Sequence, residues 1–192
     1  MKNLRQLAVY CGSAMGSDPV FADATKATAA AMAEQSVDLV YGGGRLGLMG
    51  LVADEVLDRG GKAYGVIPQA LVDIEVAHPR LTELHVVTSM HERKAKMTDL
   101  ADAFLALPGG IGTLDELFEA WSWNALGYHS KPFCLLNVGG YWDGLIEFID
   151  HAAESGFMSP SRRAQLLVAT TPQEALQLLD EAAANATQGM VL

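Results

Sequence analysis

Seven short apolar runs punctuate the chain, at residues 7–11, 37–41, 63–67, 84–87, 103–107, 133–138 and 166–169. Most lack the strict alternation of a strand that is wet on one side, so they read as strands buried on both faces of a parallel sheet. Helical periodicity fills the segments between them, at 19–35, 48–59, 90–100, 114–126, 142–154 and 172–184. A strand buried on both faces needs helices above and below it, and strand–helix alternation supplies them. The expected fold class is α/β, a Rossmann-like doubly wound parallel sheet with helices on both faces and right-handed crossovers. No linker-like stretch interrupts the pattern, so residues 1–192 read as one domain, with a frayed tail over 185–192.

Three helix starts carry a capping-box pattern: Ser89-Met90-His91-Glu92, Thr113-Leu114-Asp115-Glu116 and Thr171-Pro172-Gln173-Glu174. Thr113 is thus expected as an N-cap, with Glu116 as its reciprocal partner.

Charge narrows the possible ligands. With 13 Lys+Arg against 23 Asp+Glu, the net charge is −10, which repels a nucleic-acid backbone but leaves room for one small anion. Cys11 and Cys134 have neither CxxC nor metal-ligand spacing, so a reducing cytoplasm fits. No run is long and apolar enough to read as a membrane span.

Ligands of open α/β sheets sit beyond the carboxyl ends of the strands. Four features fall there: Cys11-Gly12-Ser13, the glycine-rich 42–50, the charged 89–96 and the loop 108–116. Gly42, Gly44 and Gly47 satisfy G-x-G-x-x-G, a weak dinucleotide fingerprint that also describes a tight, closely packed turn. No ribose-binding acid ends the next strand. In PGGIGTLDE, glycines lead from a strand into a helix, whose open N–H groups make an anion site. No lysine follows the last glycine, so this is not a P-loop, and a monophosphate suits it.

In SMHERKAKM, Arg93 and Lys94 stand within about a turn of a helix start, either as a solvated face or as cations for an anionic ligand. His91-Glu92 fails as a zinc motif because residue 95 is alanine. Glu116 reads as a helix cap or as a carboxylate facing the sugar carbon of a glycosidic bond, whose cleavage passes through an oxocarbenium-like state. Leu117, Phe118, Trp121, Trp123 and Leu126 make the following helix apolar over more than one stripe, as core or as a subunit interface.

Together CGS at 11–13, GGGxxGLMG at 42–50, MHERK at 90–94 and PGGxGTxxE at 108–116 resemble the Lonely Guy (LOG) family of cytokinin riboside 5′-monophosphate phosphoribohydrolases. The resemblance runs from Leu7 to about Met158 and is similar to the family's dimeric branch. It implies hydrolysis of an N6-modified adenine nucleoside 5′-monophosphate to free base and ribose 5-phosphate, by a cytoplasmic homodimer without a cofactor. The catalytic pair implied is Arg93 and Glu116. Substrate contacts are implied at Glu75, Lys94, Gly110, Ile111, Gly112, Thr113, Leu114, Asp115 and Ser122. Ile111 stands where tyrosine or leucine is common, and Asp115 where glutamate is common; neither removes a required group. A general AMP or purine monophosphate nucleosidase would share nearly all these residues. A nucleotide- or cofactor-binding carrier on a related fold would bind without turnover. The label "lysine decarboxylase", often attached to this family, requires pyridoxal phosphate, for which no residue pattern here speaks.

Overall fold

All seven apolar runs are strands of one parallel sheet, ordered β4-β3-β2-β1-β5-β6-β7, in a computed structural model that describes residues 3–72 and 77–188. The strands are β1 Gln6–Tyr10, β2 Asp38–Tyr41, β3 Ala63–Pro68, β4 Glu83–Val87, β5 Ala103–Ala106, β6 Phe133–Leu136 and β7 Leu166–Ala169. The longer helices are α1 Pro19–Glu34, α2 Gly47–Asp58, α4 Met90–Leu100, α5 Ile111–Ala125, α6 Asp143–Glu154 and α8 Pro172–Gln188. Two short turns, α3 Gln69–Leu71 and α7 Pro160–Arg163, complete the set.

Residue alternation along β1 shows why this sequence needs two layers of helix. Leu7, Val9 and Cys11 enter a core closed by α1, α2 and α8, whereas Ala8 and Tyr10 enter a second core closed by α4, α5 and α6. All five are buried, so the strand is apolar throughout instead of alternating with polar residues.

Chain order reverses at β1. Strands β2, β3 and β4 build outward on one side of it, and the crossover through α4 returns to place β5 on the other. The loops that leave β1 and β5 therefore diverge and open a crevice, the topological switch point where such sheets bind ligands. The Gly12 amide donates to the Pro108 carbonyl at 3.1 Å and ties the two loops together at the floor of that crevice.

Two expectations need correction. The last helix runs through Gln188 instead of ending at Ala184, because alanine-rich 182–186 contains no breaker and Ala183 is buried. The expected tail is thus partly helix; 189–192 lie outside the described residues. Helix α5 starts at Ile111, three residues earlier than expected, with Gly110 as its N-cap and no side-chain cap. Thr113 is therefore inside the first turn and buried, not a cap. Its hydroxyl packs so closely on Gly109 that a Cβ at that glycine would collide with it, and the loop must stay bare there.

Candidate active site

Among the helices that begin at or near the carboxyl edge of the sheet, α2, α4, α5 and α8 finish their first turns differently. At α4 the Ser89 hydroxyl accepts from the Glu92 amide at 3.1 Å, while the Glu92 carboxylate accepts from the Thr88 amide and hydroxyl at 2.8 and 2.7 Å. The expected capping box is present, reaching one residue further back than the usual pattern. Helix α8 repeats it with Thr171, Glu174 and Thr170. At α2 the amides of Leu48 and Met49 donate to the carbonyls of Ala14 and Gly12. That helix start is occupied by the β1–α1 loop and cannot cradle a pyrophosphate, so the G-x-G-x-x-G match is the tight-turn case.

Among these four, helix α5 is the exception. The amides of Ile111, Gly112 and Thr113 precede the first intrahelical bond, and no acceptor among the described residues takes them. They face a cavity of about 190 Å3, walled by Gly110–Thr113 together with Cys11, Met49, Arg93 and Glu116. Open amides and the positive end of the helix dipole make this wall a seat for an anion.

Arg93 is 4% exposed, which overturns the solvated-face alternative for it. Its Nε donates to the Val66 carbonyl at 3.1 Å and its Nη2 to the Gly42 carbonyl at 2.9 Å. The guanidinium is thus locked to β3 and to the residue that follows β2, where Arg93 lines the cavity. A Cβ at Gly42 would collide with it, so the glycine-rich stretch includes a seat for the arginine. Lysine has neither the planar fork nor the number of donors to repeat this.

Glu116 lines the same cavity from the second turn of α5, the one acidic side chain among the described residues that does so. With Gly110 as N-cap it is too far along the helix to close a capping box. Its charge is felt next door. Burial first, and then Glu116, pushes the Cys11 thiol well above its usual range, and the same two causes, with Glu119, raise Tyr10. Cys11 is therefore a neutral wall of the cavity, not a nucleophile.

The other expected contacts divide. Gly110, Ile111, Gly112 and Thr113 line the cavity; Leu114 is half-buried behind it. The Lys94 ammonium is bound to Asp115 at 3.1 Å and Glu119 at 2.5 Å, which joins α4 to α5 beside the cavity. Burial alone would lower its pKa, but the two carboxylates outweigh burial and raise it. Ser122 faces a separate apolar groove with Phe118, Trp121, Ala125, Met158 and Arg162. Glu75 lies outside the described residues. Sequence reasoning missed Met49 as a wall and Tyr141, whose hydroxyl donates to the Gly109 carbonyl at 2.6 Å. Tyr141 reaches that loop through a 3-10 turn at Val138–Gly140 with two positive-φ glycines, and its Gly139-Gly140 pair was the available signal.

Fold and site together define a Rossmann-like protein in which the switch point of the sheet brings an open helix start together with a fixed arginine and a carboxylate. The family described as "Possible lysine decarboxylase" matches residues 49–179. A probable cytokinin riboside 5′-monophosphate phosphoribohydrolase of Oryza sativa is 46% identical over 177 residues, covering 92% of this chain and 84% of the relative. The cytokinin riboside 5′-monophosphate phosphoribohydrolase of Rhodococcoides fascians is 46% identical over 165 residues, 85% of this chain and 83% of its own. The chain belongs to their family, the LOG family. In fold alone it is also similar to the molybdenum cofactor carrier protein of Chlamydomonas reinhardtii, with TM-score 0.70 and 16% identity over 94% of this chain and 99% of that one. The family's decarboxylase description finds no support in Lys94. A pyridoxal phosphate Schiff base needs a neutral amine, and here two carboxylates hold the lysine as an ammonium ion.

Proposed function

We propose that the chain hydrolyses the N-glycosidic bond of a cytokinin-type purine nucleoside 5′-monophosphate, releasing free base and ribose 5-phosphate. The names of the relatives supply the substrate class. The observation that carries the reading is that an uncapped helix start, a locked guanidinium and a carboxylate wall one cavity. The amides of Ile111, Gly112 and Thr113 hold the phosphate, and that remote binding energy fixes the ribose against Glu116. As the C1′–N bond breaks, its electron pair leaves with the base and positive charge grows on the sugar. Glu116 faces that charge. Water then supplies the hydroxyl at C1′ and the proton that the base takes up. Arg93 orients the anionic groups from the opposite wall. The substrate contacts at Glu75, Lys94, Leu114, Asp115 and Ser122 rest on the resemblance.

The same reading takes residues 1–192 as one cytoplasmic domain that assembles as a homodimer and has no nucleic-acid partner. Ile111, Phe118 and Leu126 lie along one side of α5 with 82%, 37% and 69% exposure, an apolar stripe that a second copy would cover. No helix among the described residues is long and apolar enough to cross a membrane. The test measures base release from a nucleoside and its 5′-monophosphate, and then from AMP, GMP and N6-isopentenyladenosine 5′-monophosphate. The monophosphate is expected to be far the better substrate, and the N6-substituted one the best. Equal kcat/KM for nucleoside and nucleotide would remove the phosphate from the α5 start.

A further inference from the structure

The carbonyls of Pro108, Gly109 and Gly110 lead into α5, and each is held. Two are held by backbone: the Gly12 amide donates to Pro108 at 3.1 Å and the Leu114 amide to Gly110 at 3.1 Å. The middle one, Gly109, accepts from the Tyr141 hydroxyl at 2.6 Å. That bond reaches the loop from another strand end, because Tyr141 follows β6.

Its direction bears on the anion seat. In a trans peptide the carbonyl and the next amide point opposite ways, so a Gly109 carbonyl turned to Tyr141 turns the Gly110 amide away from it. No acceptor among the described residues takes that amide, and Gly110 lines the cavity of Arg93 and Glu116. Gly109 and Gly110 carry no side chain that would resist turning this peptide over. Turned over, it would present a carbonyl oxygen where an amide had been, and an anion is held by a row of amides, not by a carbonyl.

The turn that carries Tyr141 is fixed at several points. The Asn137 side chain accepts from the Trp142 amide at 2.8 Å and donates to Asp143 at 2.7 Å. The Tyr141 ring meets Phe21 edge to face at 5.3 Å and Trp142 at 4.7 Å. A ring mounted this way brings its hydroxyl to one place.

We infer that Tyr141 is a positioning residue: its hydroxyl holds the Gly109–Gly110 peptide so that the Gly110 amide joins those of Ile111, Gly112 and Thr113 around the substrate phosphate. It acts through the loop and does not touch the reacting bond. The inference rests on the phosphate seat of the reading above, and its test reads binding apart from turnover.

Tyr141→Phe removes one oxygen and keeps the ring on Phe21 and Trp142. Tyr141 is 42% exposed, so water can reach the Gly109 carbonyl in the variant and the fold is kept. The experiment compares wild type, Tyr141→Phe and Tyr141→Leu. Calorimetry gives dissociation constants for inorganic phosphate and ribose 5-phosphate; base release gives kcat and KM for N6-isopentenyladenosine 5′-monophosphate and for its nucleoside. In Tyr141→Phe both dissociation constants and the nucleotide KM are expected to rise roughly tenfold, with kcat near normal and kcat/KM for the nucleoside unchanged. Tyr141→Leu, which also removes the ring, should weaken inorganic phosphate at least as much. Wild-type affinities in Tyr141→Phe with a loss only in Tyr141→Leu would assign Tyr141 to packing and overturn the inference. An equal loss for the nucleoside, or a fall in kcat alone, overturns it too. A wild type that binds ribose 5-phosphate yet releases no base from the nucleotide sinks the hydrolase reading, and the two dissociation constants then decide Tyr141 by themselves. A wild type that binds neither ligand overturns both.

Discussion

Helices α4 and α5 start side by side on one face of the sheet, each after a strand that ends at its carboxyl edge, yet one start is closed and the other open. Ser89 and Glu92 satisfy the first turn of α4 from within the chain. The first turn of α5 follows a bare Gly110, and its amides face the cavity. Both starts carry a hydroxyl and, three residues on, a glutamate. What separates them is where the helix begins. Two glycines let α5 start early, which carries Thr113 inside the turn and moves Glu116 from a cap to a cavity wall. A helix start left unsatisfied costs stability, so an open one beside a buried arginine marks a place prepared for a ligand.

The sharpest way to break this contrast is Glu116→Gln, measured against Glu92→Gln. Glu116 has no capping duty, so neither its Gln nor its Ala variant is expected to lose a helix cap. With Glu116→Gln, kcat is expected to fall by roughly 10²–10⁴, the range of a lost acid–base group, at an unchanged melting temperature. Glu92→Gln should show the opposite pattern, with a lower melting temperature and near-normal kcat. If the two variants behave alike in paired thermal melts and base-release assays, the contrast fails.

Gly42→Ala tests the arginine's seat and comes next in size. A Cβ there displaces the guanidinium, so two buried carbonyls, Val66 and Gly42, lose their donor together with the cavity's cation. Activity is expected to fall at least tenfold, with a stability loss of about 1–3 kcal/mol for each carbonyl left without a partner. Arg93→Lys should do much the same, and Arg93→Ala cannot be a purely catalytic change. Normal turnover in Gly42→Ala would show that the guanidinium need not be locked.

Much of this was legible in the sequence, for identifiable reasons. Strands buried on both faces announce themselves as apolar runs, so all seven and their alternation with helices could be placed. Glycine-rich loops after strands marked the carboxyl edge, and with it the neighbourhood of Arg93 and Glu116. Side-chain direction was not legible. The pattern Thr113-x-x-Glu116 is the same whether a helix begins at residue 111 or 114, and only the glycine backbone before it decides. The Lys94 pairing was hidden for the same reason. Asp115 and Glu119 lie on another helix, and their distance from Lys94 is set by packing.

Ser89→Ala sharpens the closed side of the comparison with a smaller effect. It removes the acceptor for the Glu92 amide, at a cost of about 1 kcal/mol. The expected result is a lower denaturation midpoint with an unchanged KM. A raised KM would mean that the α4 start also contacts substrate.

The smallest effect concerns pH and again separates the two glutamates. The Thr88 hydroxyl, and next the Thr88 amide, hold the Glu92 carboxylate below its usual range. Because the folded value is depressed, the contribution to stability is fully present above the unfolded value, about 4.3. It is lost as pH falls through the lower folded value. Glutamine at this position keeps an acceptor oxygen but loses the charge. Wild type and Glu92→Gln are therefore expected to differ most near neutral pH and to converge only as pH falls through the depressed folded value, below which both residues are uncharged. The carboxylate is exposed, so the gap should be small and should shrink further in salt. Melting temperatures taken from pH 7 to pH 3 in low and high salt check this, with Ser89→Ala as the control that should keep its offset across the range. Parallel curves for wild type and Glu92→Gln would mean that the α4 start is closed by geometry alone, without help from the charge.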